Sequence, residues 1–149
     1  MKIIVVSGGF DPIHSGHIEY ISSAKTHGEK LIVALNSDNW LIKKKGKFFM
    51  PFSERKKILE NIKHVDEVID FDDDPEGTCI NALEAIKKFH PNDEIFFANG
   101  GDRGKSNIPE TTVSGINFIY SVGGDEKKNS SSWILKKWQY YFEERSWGS

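Results

Sequence analysis

Two histidines, His14 and His17, stand three residues apart around a glycine, where a glycine-rich turn meets a segment of helical periodicity. The run reads Ser7-Gly8-Gly9-Phe10-Asp11-Pro12-Ile13-His14-Ser15-Gly16-His17. Glycine lets a backbone come close to a phosphate, and a helix N-terminus offers free N–H groups with a partial positive charge. Both imidazoles can therefore face one anion, either protonated or as neutral rings that each donate one N–H. Three other readings compete. A dinucleotide-binding turn needs G-x-G-x-x-G, which is absent. A zinc pair on a helix favours i, i+4 spacing, and no further His or Cys stands close in sequence. The last is that the two rings simply cap the helix.

Other residues could join an anion site. Lys43, Lys44, Lys45 and Lys47 form a basic cluster that would otherwise be a solvated loop. Arg55 lies one turn into a predicted helix. Ser130-Ser131-Ser132 precedes the last helix, where one serine is expected as N-cap and three exceed what capping needs. Asn99 to Ser106 superficially suggests a P-loop, but the first glycine of that pattern is replaced by Asn99. Asp70, Asp72, Asp73 and Asp74 read as a solvated turn rather than a metal nest.

The elements that would position these residues alternate. Apolar runs at 3–6, 31–35, 65–71, 94–98 and 116–122 read as strands, the first of them as a buried parallel strand. Helical periodicity occupies 16 to about 26, the segment opened by Pro51-Phe52-Ser53 with Ser53 as N-cap, 78–89, and 130 to about 144. Strand–helix alternation over the whole length predicts an α/β fold: a Rossmann-like, doubly wound sheet of about five parallel strands with helices on both faces. Ligands in such sheets sit at the carboxyl ends of the strands. Residues 43–50 and 100–112 are long for simple connections and are candidate functional loops. Trp133, Trp138, Tyr140 and Tyr141 on the last helix read as either a dimer face or a core stripe.

The chain has 149 residues, 38% of them hydrophobic and 12% aromatic, enough for one domain, expected over 1–145 with 146–149 as a tail. Twenty basic against 22 acidic residues give a net charge of −2, which argues against a duplex-binding protein. Cys79 is the single cysteine, so internal disulfides and multi-cysteine zinc sites are excluded. No run reaches the roughly 18 apolar residues of a membrane span. The expected setting is the cytoplasm, with neither nucleic acid nor membrane as partner.

Gly9-Phe10-Asp11 followed by His14-Ser15-Gly16-His17 resembles the G-x-F-D-x-x-H-x-G-H signature of the cytidylyltransferase-like nucleotidyltransferases. That family includes heptose-1-phosphate adenylyltransferases and glycerol-3-phosphate cytidylyltransferases. The likeness extends through Asn36-Ser37-Asp38, the lysine loop, Glu54-Arg55, residues 65–68, Gly100-Gly101-Asp102 and Ser130-Ser131-Ser132. It implies transfer of AMP or CMP from ATP or CTP to a small phosphorylated metabolite, such as a sugar phosphate or phosphoalcohol, with release of pyrophosphate. It further implies His14, His17 and Lys44 as catalytic residues. Nucleotide contacts would come from Gly8, Gly9, Phe10, His14, His17, Gly101, Asp102, Arg103, Ser130, Ser131 and Ser132. Asp11, Asp38, Lys44 and Arg55 would contact the acceptor. Mg²⁺ would be held mainly by phosphates rather than by a protein metal site, and a homodimer is expected. Gly100-Gly101-Asp102 resembles the adenylyltransferase branch. Asp125 stands where the cytidylyltransferases carry an arginine, which favours ATP. The competing function is a nucleotide-binding sensor that has lost turnover; a flavodoxin-like carrier would need a Ser/Thr-rich loop that Gly8-Gly9-Phe10 does not provide.

Overall fold

Ile3, Ile4, Val5 and Val6 are all fully buried, as a strand must be when both faces of its sheet are covered. The computed structural model describes residues 1–100, 108–123 and 130–148. The strands are β1 (Lys2–Gly8), β2 (Lys30–Leu35), β3 (Glu67–Ile69), β4 (Glu94–Gly100) and β5 (Ile116–Val122). The helices are α1 (Ser15–Lys25), α2 (Asp38–Lys45), α3 (Phe52–Glu60), α4 (Ile80–Phe89) and α5 (Ser131–Gly148), with a short 3-10 turn at Pro109–Thr112. The sheet has the order β3-β2-β1-β4-β5, and every neighbouring pair is parallel. The fold is therefore the Rossmann-like doubly wound sheet that the alternation predicts.

Period-two alternation divides the core. Ile3, Val5, Ile32, Ala34 and Phe97 pack with Leu83 and Ile86 of α4 on one face. Ile4, Val6, Leu31, Val33 and Leu35 pack with Ile21 and Ala24 of α1 and Leu59 of α3 on the other. The chain starts in the middle strand, winds outward to β3, then crosses back to β4. The reversal falls between β1 and β4, so a crevice opens at their carboxyl ends.

Several boundaries differ from expectation. β3 is three residues rather than seven. Asp66 replaces the ladder there: its carboxylate accepts the Leu31 N–H at 2.7 Å while its own N–H donates to the Leu31 carbonyl. α3 starts at Phe52 after an extended Pro51, so Ser53 is inside the helix and not its N-cap. The lysine segment is not a loop throughout, since Lys43, Lys44 and Lys45 form the last turn of α2. Gly46 ends that helix with φ +84°, a conformation that costs glycine little. α5 runs to Gly148, past the expected end at about 144. Its aromatic residues are not a core stripe: Trp133, Trp138, Tyr140 and Tyr141 are 52–64% exposed. No helix among the described residues is long and apolar enough to cross a membrane.

Candidate functional site

The turn after β1 carries the two histidines into α1. His14 is the N-cap residue, with extended backbone, and its Nδ1 accepts the Gly16 N–H at 3.0 Å. His17 sits at the third helical position, and its Nδ1 accepts the His14 N–H at 3.2 Å. Together they form a reciprocal capping box, an arrangement normally made by Ser or Thr with Glu or Gln. The capping reading is thus correct as far as Nδ1 is concerned. It also decides the tautomer: with each Nδ1 lone pair turned to a backbone N–H, the proton of a neutral ring resides on Nε2. The rings stack with centroids 3.8 Å apart, and Phe10 packs on His17 at 4.7 Å. Burial, then the neighbouring His14, then the Lys45 ammonium push the His17 pKa down to about 3. His17 is therefore a neutral N–H donor at neutral pH, which settles for this ring the choice between protonated and neutral forms.

The turn itself is tightly packed. Phe10 is buried with φ +51°, a backbone region uncommon for a non-glycine residue. A Cβ on Gly9 would lie 2.8 Å from Leu41 Cδ2, so glycine is what allows α2 to close against the turn. Beside Gly8 and Gly9 opens a cavity of about 420 Å³, also lined by Ser7, Asn36, Trp40, Lys44, Glu76–Cys79, Pro109 and Glu110. Lys44 thus lines the same cavity as the glycine turn. Its Nζ stands 4.7 Å from the centroid of the Trp40 ring.

Two residues expected to touch the acceptor are instead internal ties. Arg55 has a side chain with no exposure; its Nε donates to Met50 O at 2.9 Å and its Nη1 to Gly9 O and Asn36 O at 2.9 and 2.8 Å. Its Nη2 pairs with Asp38 Oδ1 at 2.7 Å. The guanidinium fork is directed at three backbone carbonyls and one carboxylate and is fully buried, so it is not available to a ligand. Asp11 is buried, and its two oxygens accept the Phe49 and Met50 N–H groups, each at 2.6 Å. Asp38, paired with that arginine, keeps a third of its side chain exposed.

The three serines have separate positions. Ser130 Oγ accepts the Trp133 N–H at 3.0 Å and so caps α5. Ser131 Oγ donates to Pro12 O at 2.7 Å, tying the start of α5 to the histidine turn. Ser132 is exposed. Gly101, Asp102 and Arg103 lie outside the described residues. Sequence reasoning missed Trp40 and Glu110. Ser37, a helix-capping residue three before Trp40 whose Oγ accepts the Trp40 N–H, was the available signal for α2. Glu110 is buried and accepts the Cys79 N–H at 3.0 Å; nothing local in its 3-10 turn marks it. Among the described residues no group of three His, Cys, Asp or Glu side chains could hold a metal.

A parallel sheet in this order, with a glycine turn leading into a histidine-capped helix at the end of its middle strand, defines a Rossmann-like protein. Residues 5–136 match the cytidylyltransferase-like family, and the chain belongs to that family. It is 30% identical over 141 residues to the bifunctional protein HldE of Wolinella succinogenes, covering 93% of this chain and 27% of that protein. It is 42% identical over 69 residues to the glycerol-3-phosphate cytidylyltransferase of Bacillus subtilis, covering 46% of this chain and 54% of that protein. The chain thus corresponds to 27% of the one relative and about half of the other. It is similar in fold, with a TM-score of 0.63 at 22% identity, to a bifunctional NMN adenylyltransferase/ADP ribose pyrophosphatase from Francisella tularensis, complexed with AMP and a manganese ion. That likeness covers 91% of this chain and 41% of that one.

Proposed function

We propose that the protein is a nucleotidyltransferase that moves a nucleoside monophosphate from ATP or CTP to a small phosphorylated acceptor. An acceptor phosphate oxygen attacks the α-phosphorus in line; the new P–O bond forms as the bond to the β-bridging oxygen breaks, and pyrophosphate leaves. A phosphate monoester has a second pKa near 6, so the nucleophile is already ionised and no general base is required. The demand on the protein is to relieve repulsion between two polyanions and to stabilise charge that develops on the transferring and leaving oxygens.

The observation that carries this reading is the histidine capping box. With Nδ1 closed and Nε2 protonated, a neutral ring has no free lone pair with which to accept a proton. Its remaining function is to donate, which is what the reaction asks of it. The backbone at Gly8–Phe10, Lys44 and the start of α5 at Ser130–Ser132 would hold further oxygens. The cavity beside Gly8 and Gly9 is within the size range of small-molecule sites, and it would hold the acceptor, its phosphate toward Lys44. The donor set on the protein suits a divalent ion that enters with the triphosphate, because Mg²⁺ usually keeps phosphate and water ligands. Such an ion supplies charge neutralisation on the phosphates.

Among nucleotides ATP is preferred over CTP, because Asp125 stands where the cytidylyltransferases carry an arginine. Pyrophosphate release tests the proposal: the protein is incubated with each of four NTPs, Mg²⁺ and a panel of sugar phosphates and phosphoalcohols. Release that depends on both an NTP and one acceptor is the expected result. Nucleotide binding without release for any pair would instead identify a sensor module.

A further inference from the structure

We infer that Trp40 is a positioning residue for this reaction, which fixes the Lys44 ammonium at the mouth of the cavity beside the glycine turn. The inference rests on the nucleotidyl-transfer reading. Lys44 lies in the last turn of a helix only eight residues long, and Leu41 is the one residue of that helix to be buried. A lysine carries its point charge on a flexible four-carbon stem. A site that must meet a phosphate at one place needs that freedom removed.

Trp40 removes it from three sides. It stands four residues before Lys44, one turn away on the same helix face, and its ring lies under Nζ at 4.7 Å. Its indole Nε1–H donates to the Gly77 carbonyl at 2.9 Å, which anchors the ring to the opposite wall of the cavity. Its ring edge approaches the turn, Cζ3 lying 3.5 Å from where a Gly9 Cβ would be. Gly77 has φ +74°, a backbone conformation that favours glycine at the carbonyl that receives the indole N–H.

The helix is held in the same direction from its other end. Ser37 Oγ accepts the Trp40 N–H at 3.0 Å and itself donates to Asp73, on the segment that leads to Gly77. Trp40 and Lys44, with Glu76 and Gly77, line both the 420 Å³ cavity and a neighbouring hollow of about 350 Å³ that Lys43, Asp73, Asp74 and Pro75 complete.

A double-mutant cycle tests this on the full chain, with pyrophosphate release as the readout and the best NTP–acceptor pair as substrates. Lys44→Ala is expected to lower kcat/KM by about 10²-fold. Trp40→Leu, which removes ring and N–H together, is expected to lower it by about five- to tenfold with Lys44 present. In the Lys44→Ala background the same change should cost less than about twofold. Trp40→Phe keeps a ring under Nζ and should lose less than Trp40→Leu. It also serves as the folded probe should the leucine variant not fold. Losses that multiply independently of Lys44, or equal losses for Phe and Leu, would make Trp40 a plain packing residue and overturn the inference. If the unmodified chain releases no pyrophosphate with any pair, the underlying reading fails first. If it does, and Trp40→Leu matches it, only the role of Trp40 fails.

Discussion

The histidine turn and the lysine helix, which the proposed reaction would bring to one anion, are built in opposite ways. Residues 14–17 position one another through bonds that span two or three residues, Gly16 to His14 and His14 to His17. Lys44 owes its place to contacts from far along the chain: Arg55 on Gly9 and Asn36, Asp11 on Phe49 and Met50, Trp40 on Gly77. The first region is a local motif, and the second is a product of the tertiary fold. A short-range device fixes its own geometry through neighbours in sequence. A cation on a short polar helix does not.

The largest effect should follow from Arg55→Met, which strikes the long-range contacts. It deprives three carbonyls of their donor and leaves Asp38 without its partner, so urea denaturation should show a loss of about 3–5 kcal/mol. A loss under about 1 kcal/mol would mean the lysine helix is held by something else.

His17→Ala strikes the local region. Turnover should fall by about 10²–10³-fold, with substrate binding weakened less, while stability changes by only about 1 kcal/mol for the lost capping bond. Near-normal turnover would remove His17 from the chemistry. A stability loss as large as that of Arg55→Met would erase the distinction between the regions.

The smallest effect is one of pH. The His17 pKa is about 3 in the folded chain against 6.5 for an ordinary histidine. Below pH 6.5 the unfolded chain takes up a proton that the folded chain refuses, so stability is full above that value and falls as pH drops toward 3. Between pH 7 and 5 this group accounts for at most about 2 kcal/mol. Urea midpoints at the two pH values, compared with those of His17→Ala, should show the slope flattened in the variant; equal slopes would mean the ring is not held neutral by its surroundings.

How much the sequence reveals follows the same division. The strands of residues 3–6 and 31–35 are legible because both faces of the sheet are covered and their apolar runs are unbroken. The histidine turn is legible because its parts are contiguous. The lysine helix was not, since Asp38–Lys45 buries only Leu41 and ends in three lysines, leaving no apolar stripe to read. Arg55 and Asp11 were recognised as important, but the backbone groups that they tie were not foreseen. A charged residue near a phosphate site reads as a ligand contact until the backbone groups that claim it are known. Those groups lie 5 to 46 residues away for Arg55 and nearly 40 away for Asp11, beyond any local pattern.

The closed Nδ1 atoms of the opening turn also fix what the site will refuse. A transition-metal ion binds imidazole through an exposed lone pair, and here the outer edge of a neutral ring presents hydrogen instead. Zinc or copper could take Nε2 only if its proton moved to Nδ1 or the ring turned, and either change breaks a capping bond at the first turn of α1. Chelation by this pair would thus be opposed by the helix that the rings begin.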